Sequence, residues 1–501
     1  MTRWALAAGA LTLPWAALPA TGQEPSGAAL VAPQQVFDVD GRRIERWDMG
    51  SLVGAPEPDP ALTYLFRPTP FVPRPGNAAI GYLEAIREAE RARRGLEGDA
   101  QQWDSVWLDL PIESLPLDEV GALLDGHRRA FDAIDRATES AYCDWQIESY
   151  GTRSVADLLA IDLESQQQMR QLARLVSLDT RYAIATRDWR RAEKDIRRMA
   201  AMARDVSKPS LLITSLIGIA IQNISYGDVR SWIAAEGSPN LYWALSSLPE
   251  GPSDMREALF GEMRLLRFGF EAFDRPEEKD WSAEQWRSVV RRDFGRIMPS
   301  VSSGALDETA LDGFLSGLAI RGYPIAKERL IAEGFDPARL EAMPVLQVVC
   351  IYEGRAIKRI ADDFFKWTLV DGADRSIGLA EAEQAFARTS SGFADLDRGT
   401  LTPLVGLLMP ALSAAARAEV RTRQSRELLR TIEALRLHVA ATNSIPSSLD
   451  EIEVVPVPND PATGAPFDYR VYDDRVEIRV DAIPGVRSVY VWKRPSVDGR
   501  R

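Results

Sequence analysis

The amino-acid sequence predicts a mainly α-helical protein: irregular helical hairpins followed by a small C-terminal α+β module, a long helix with a three-stranded antiparallel sheet. Three observations carry that reading. Apolar residues recur at steps of three and four from Asn77 to about Leu396, the helical period. The period changes to two after Phe467, as in half-buried strands. The chain has 501 residues, of which 46% are apolar, enough for two or three domains with a sizeable core.

Taken in order, residues 1–22 read as a secretory signal. Arg3 precedes an apolar run from Trp4 to Ala20, and Ala20-Thr21-Gly22 supplies small residues at a cleavage site. Pro14 and Pro19 interrupt the run, which is short for a span of about 20 residues. Residues 23–76 read as an extended arm or linker, with Phe37, Trp47, Leu62, Tyr64, Phe66 and Phe71 able to pin parts of it to the body. Pro25, Pro33, Pro56, Pro58, Pro60, Pro68, Pro70, Pro73 and Pro75 forbid helix there.

The helical body is expected over 77–398. Tyr182, Ala185, Trp189, Ala192, Ile196, Met199 and Ala203 form one apolar stripe, with Arg187, Arg190, Arg191, Lys194 and Arg198 outside it. Ala185-Thr186-Arg187-Asp188-Trp189-Arg190-Arg191-Ala192 is similar to the turn and second helix of a tetratricopeptide unit, Asp188 being placed to cap that helix. Tyr226-Gly227-Asp228-Val229 looks like a second such turn, 40 residues on, so the hairpins are irregular. Leu211 to Ile224 is apolar around nearly its whole circumference; its 14 residues span about 21 Å, too short for a bilayer, which marks a central core helix. Ser238-Pro239 reads as cap and first position of a helix over 240–248. Further helices are expected near 118–145, 154–176, 254–271, 282–297, 307–320, 324–334 and 344–370.

A long helix is expected within 399–445. Residues 411–442 lack Pro and Gly and make about 48 Å of helix, with Leu428, Ile432, Leu435 and Val439 on one stripe. Six arginines and three glutamates between 417 and 436 read as its solvated face. Residues 446–492 then supply the sheet, and 493–501 a tail. Phe467, Tyr469 and Val471, then Val476, Ile478 and Val480, alternate with charged residues; Val489 to Trp492 is the third strand. Its apolar face needs the long helix as a lid.

Charge and motifs narrow the chemistry. The net charge of −13 opposes a nucleic-acid surface, which needs clustered cations. Only His127 and His438 are available for histidine-built metal sites or dyads. No nucleophile elbow, P-loop, HExxH or dinucleotide fingerprint is present; in Gly313-Phe314-Leu315-Ser316-Gly317 the serine stands one place late for the elbow. Asp362 and Asp363 fall about 140° and 240° around a helix from Ile357, away from its apolar side, so they face water. Asp162 and Glu164, two apart, diverge. His127 reads as a surface or capping histidine beside Arg128 and Arg129. Cys143 and Cys350 are either a disulfide or two buried thiols. No catalytic, cofactor-binding or metal residue is designated.

The most specific words are Glu433-Ala434-Leu435-Arg436-Leu437-His438, Ile445-Pro446-Ser447-Ser448-Leu449-Asp450 and Pro458-Asn459-Asp460-Pro461-Ala462-Thr463-Gly464-Ala465-Pro466-Phe467-Asp468-Tyr469. They resemble a module ending many uncharacterised exported bacterial proteins, and in layout the globular half of type II secretion pseudopilins. The body resembles the same exported proteins around Gly237-Ser238-Pro239-Asn240-Leu241-Tyr242-Trp243-Ala244-Leu245. A pseudopilin carries its apolar helix at the extreme N-terminus, whereas here about 400 residues precede the module. Pseudopilin sheets can carry calcium; Asp460, Asp468, Asp473 and Asp474 supply oxygens without EF-hand spacing, and read as turn and solvent-face aspartates.

These observations lead to an exported, periplasmic or secreted scaffold whose partner is another envelope protein, with no transmembrane span after signal cleavage. The alternatives are a carboxylate-dependent hydrolase of envelope glycan, whose two acids are distant in sequence, and a small-ligand binding protein.

Overall fold

The computed structural model describes residues 34–37, 43–146, 164–208, 211–252, 255–268, 270–301, 308–370, 372–389, 409–480 and 487–494. The signal segment and residues 154–163 of an expected helix lie outside them. Over the described residues the protein is mainly helical with a small C-terminal sheet, as its periodicity predicts.

Strands β1 (Gln34–Phe37), β2 (Arg43–Ser51) and β3 (Arg74–Asn77) lie within the arm. Asn77 caps α1 (Ala78–Arg93) by accepting from the Ala79 N–H. The helix expected over 118–145 is broken into α2 (Leu117–Gly126) and α3 (Arg128–Thr138), and Ser140–Tyr142 forms β4, parallel to β3. The break falls at His127, whose ring turns back onto the Leu123 carbonyl.

Helices α4 (Glu164–Ala185) and α5 (Trp189–Val206) form the hairpin that the tetratricopeptide-like words predict. Arg187 adopts φ +59°, and the Asp188 carboxylate accepts from the Arg191 N–H at 3.1 Å. The expected second turn at Tyr226-Gly227-Asp228-Val229 does not exist. Those residues lie inside α6 (Leu212–Ala234), because Tyr226, Val229 and Trp232 continue the buried face past Gly227. The next helix, α7 (Tyr242–Ser246), starts later than Ser238-Pro239 suggests; Leu241 stands at its N-cap and the Asn240 side chain, one residue before, accepts from the Tyr242 N–H at 3.0 Å.

The second half of the body holds α8 (Met255–Phe268), α9 (Ala283–Val301), α10 (Glu308–Ala332), α11 (Pro337–Ala342), α12 (Val345–Phe365) and α13 (Gly372–Thr389). Two expected helices merge in α10, with Pro324 in its interior. Leu315, Leu318, Ala326 and Leu330 keep one buried row across the proline, and that burial outweighs a local cost of about 3 kcal/mol. Helix α14 (Met409–Thr442) follows, then β5 (Asp468–Val471), β6 (Arg475–Val480) and β7 (Arg487–Lys493).

The sheet has five strands, not three, in the order β1-β2-β7-β6-β5. β5, β6 and β7 form the expected antiparallel meander; β2 adds to β7 in parallel and β1 to β2 antiparallel. The arm is therefore not a linker here. Residues 34–55 contain no proline, so their N–H groups are free to enter a ladder. Trp47 seals the junction, stacked on Tyr490 with ring centroids 6.0 Å apart, under the Arg230 guanidinium at 3.9 Å.

Two apolar cores result. The first gathers the arm, α1 to α7, the later half of α14 and the sheet; the second gathers α8 to α13. Helices α6 and α14 serve both. Leu212 and Ile219 of α6 enter the second core, while Ile217, Ile221 and Trp232 enter the first, which is why this helix is apolar all round. Among the described residues no helix is long and apolar enough to cross a membrane.

Candidate functional site

The words that carry the resemblance, distant in sequence, meet at one joint. Between Glu427 and His438 nearly every residue of α14 is buried, because α6 and α7 pack on the helix and its apolar residues share one core with the sheet. Glu419, Glu427, Glu433 and Arg436 are buried, so these charges do not form one solvated face, although Arg421 is exposed. Glu433, fully buried, receives Arg436 Nη1 at 2.7 Å, and Arg436 Nη2 donates to the Ser238 carbonyl at 3.0 Å. Asn240 Nδ2 donates to the Glu433 carbonyl at 3.0 Å. Burial raises the Glu433 carboxyl above its ordinary range, while Arg436 and the Leu241 N–H pull against that rise.

One turn earlier, Arg430 bridges Glu427 (2.7 Å), Ser246 Oγ (3.1 Å) and the Tyr242 hydroxyl (3.2 Å). Tyr242 in turn donates to the Pro456 carbonyl at 2.5 Å. The Asp460-Pro461-Ala462-Thr463-Gly464 words form a turn pinned to the same helix. The Asp460 carboxylate accepts from Gln424 Nε2 at 2.9 Å and from the Ala462 N–H at 2.8 Å. The Asp460 carbonyl accepts from the Gly464 N–H at 2.7 Å, and Gly464 adopts φ +72°. Tyr469 closes the neighbouring loop by donating to the Pro446 carbonyl at 2.9 Å. Arg436, Asn240, Tyr242, Arg430 and Gln424 thus tie module, helix and body together.

A second cluster sits where α3, α4 and α5 meet, and sequence reasoning missed it. Arg198 places a two-nitrogen fork on Asp135 (2.7 and 2.8 Å), and its Nη1 reaches Asp195 Oδ1 at 2.6 Å and Asp179 Oδ2 at 3.6 Å. Arg191 holds the other Asp179 oxygen at 2.5 Å, and Lys194 holds Asp135 at 2.8 Å. Burial, then the neighbouring Asp179, raises the Asp195 carboxyl well above its ordinary value, against the pull of Arg198. Burial also works upward on Asp135, but Arg198 and Lys194 together bring it below the usual range. Asp179 and Asp195 are both sealed by side chains and held by arginine. Nearby, Tyr82 donates to Asp205 at 2.9 Å, and Arg204 forks onto the same carboxylate at 2.7 and 2.9 Å.

The residues singled out in the sequence fall as follows. Asp362 and Asp363 are exposed on α12, Asp363 beside Lys366 at 2.9 Å. Glu164 opens α4; Asp162 lies outside the described residues. Ser316 donates back to the Asp312 carbonyl within α10. His127 caps, but it is buried rather than on the surface. Burial lowers its basicity, and the assisting cation is Arg93, not Arg128 or Arg129. Cys143 and Cys350 are free thiols, each raised chiefly by burial. His438 is buried in α14, Asp468 pairs with Arg470, and Asp473 and Asp474 are exposed. Among the described residues no three His, Cys, Asp or Glu side chains converge as metal ligands.

No family description, curated protein or solved structure matches this chain.

Proposed function

We propose that this protein is an exported cell-envelope scaffold, in which hairpins and a pseudopilin-like end module form one body that docks onto another envelope protein. The observation that carries the reading is an apolar group around the β3–β4 ribbon. Phe71 (77% exposed) and Val72 (84%) precede β3, Tyr142 (58%) lies on β4 opposite Asn77, and Ile80 (65%) stands in the first turn of α1. Large apolar side chains gathered on a surface mark contact sites. Supporting it, the most conspicuous charged groups of the interior are bound to one another rather than presented to a substrate. Export is supported by the basic, apolar and small-residue order of the first 22 residues.

The test places a photoreactive residue at position 71 of the full chain in its own cells. A discrete cross-linked envelope polypeptide is expected, lost when Val72→Asp and Ile80→Asp are added. Cross-linking no different from that of a probe at exposed position 363 overturns the docking reading. A chain recovered from the cytoplasm and still beginning at Met1, rather than an envelope or secreted chain beginning near Gln23, overturns export.

A further inference from the structure

Helices α4 and α6 both pack on α5 and against each other. The hydrogen bond from Ser177 Oγ to Asp228 Oδ1, 2.9 Å, fixes their register. At about 100° per residue, Gln166, Ser177 and Arg181 share one side of α4, and Gln222, Ser225 and Asp228 lie within about 120° on α6. All six are more than nine-tenths buried. Among the described residues, five of their atoms have no hydrogen-bond partner: Gln166 Oε1, Arg181 Nε, Gln222 Nε2, Ser225 Oγ and Asp228 Oδ2. Measured along the axis from Asp228, Ser225 is about 4.5 Å and Gln222 about 9 Å away, so the unmet groups of α6 follow one another turn by turn; on α4, Arg181 lies about 6 Å to one side of Ser177 and Gln166 about 16.5 Å to the other.

We propose that the α4–α6 seam is a binding site for a row of ordered water molecules. Buried polar atoms left unmet carry their full desolvation penalty, and internal water is the usual remedy. The donor–acceptor pattern selects the guest. Arg181 Nε and Gln222 Nε2 donate, Gln166 Oε1 and ionised Asp228 Oδ2 accept, and Ser225 does either. An anion satisfies only the donors and is repelled by Asp228; a cation meets the converse at Arg181. Water serves both sets. Burial pushes the Asp228 carboxyl up to about 7, so near neutrality it stands as acid or as carboxylate, and a water molecule adapts to each. Arg181 is anchored independently, through Nη2 on the Leu110 carbonyl, which leaves Nε facing a fixed position.

The test is a crystal structure of the full chain at a resolution that shows water, joined to the thermal unfolding of Ser225→Ala. Water within about 3 Å of both Ser225 Oγ and Asp228 Oδ2 is the expected result. A dry seam, or density for an ion there, overturns the proposal. Ser225→Ala strands the bound water and is expected to lower Tm by about 1–2 °C. In a dry seam the same change removes an unmet hydroxyl, so an unchanged or higher Tm also overturns it. Gly227→Ala, on the same helix with nothing within 4 Å of the added Cβ, serves as the folded control.

Discussion

A carboxylate taken out of water and set against a second carboxylate is unstable unless one of them binds a proton. Asp195 is fully buried beside Asp179, with Arg198, Arg191, Lys194 and Asp135 completing the charges around it. Its folded pKa lies above the ordinary value of 3.8, so its contribution to stability is complete below that pH and is lost as pH rises toward the folded value. Asp195→Asn copies the protonated form: the amide oxygen keeps Arg198, and the amide N–H reaches Asp179. We expect wild type and variant to have similar urea midpoints near pH 4, with the variant the more stable at pH 8. A variant weaker at both pH values means that Asp195 is ionised in the fold. Legibility at this scale is uneven. Asp188 is readable as a cap because a cap acts on its own next turn. Asp195 and Glu433 are not, since charges at helical spacing give one pattern whether water or a neighbouring helix lies opposite.

Helix α6 shows how an element depends on what crosses it. A Cβ added at Gly218 would lie 2.1 Å from Ser207 Oγ and 2.7 Å from the Ala203 carbonyl of α5, and the carbonyl is fixed in its own helix. At Gly227, nine residues on, an added Cβ meets nothing within 4 Å. The same Gly→Ala change should therefore have opposite signs. Gly218→Ala is expected to cost about 1–3 kcal/mol, and Gly227→Ala to gain up to about 1 kcal/mol from helix propensity. Urea unfolding measures both, and equal effects would show that α5 and α6 do not meet as described. Gly227 is also where sequence reading ended the helix too soon: Gly-Asp looks like a turn until Val229 and Trp232 are known to be buried. The apolar circumference of α6 was legible, and so were the hairpin at Asp188 and the strand alternation after Phe467. The merging of two helices across Pro324 was not, because the row Leu315 to Leu330 matters only once α12 is opposite it.

At the scale of the whole molecule, the two ends of the chain close one sheet and a buried charged joint binds that sheet to the body. The β2–β7 pairing joins residues 44–51 to 487–493, a register that local pattern cannot specify. Trp47→Ala removes the stacked ring over Tyr490 and should cost about 3–5 kcal/mol, read as earlier protease cleavage in both the arm and the C-terminal strands. Cleavage confined to the arm would mean that the sheet stands without it. The joint at Glu433 and Arg436 makes the sharper claim, because a buried ion pair is costly to break and cheap to replace. Arg436→Met strands the Glu433 carboxylate in the core and frees the Ser238 carbonyl. The expected loss is about 3–5 kcal/mol, with the module melting ahead of the body as a separate calorimetric transition. Adding Glu433→Leu removes the stranded charge, so the double variant should recover most of the loss and melt as one unit. If the single variant loses less than about 1 kcal/mol, the pair is solvated as an exposed bridge would be, and module and body are joined through apolar contacts alone.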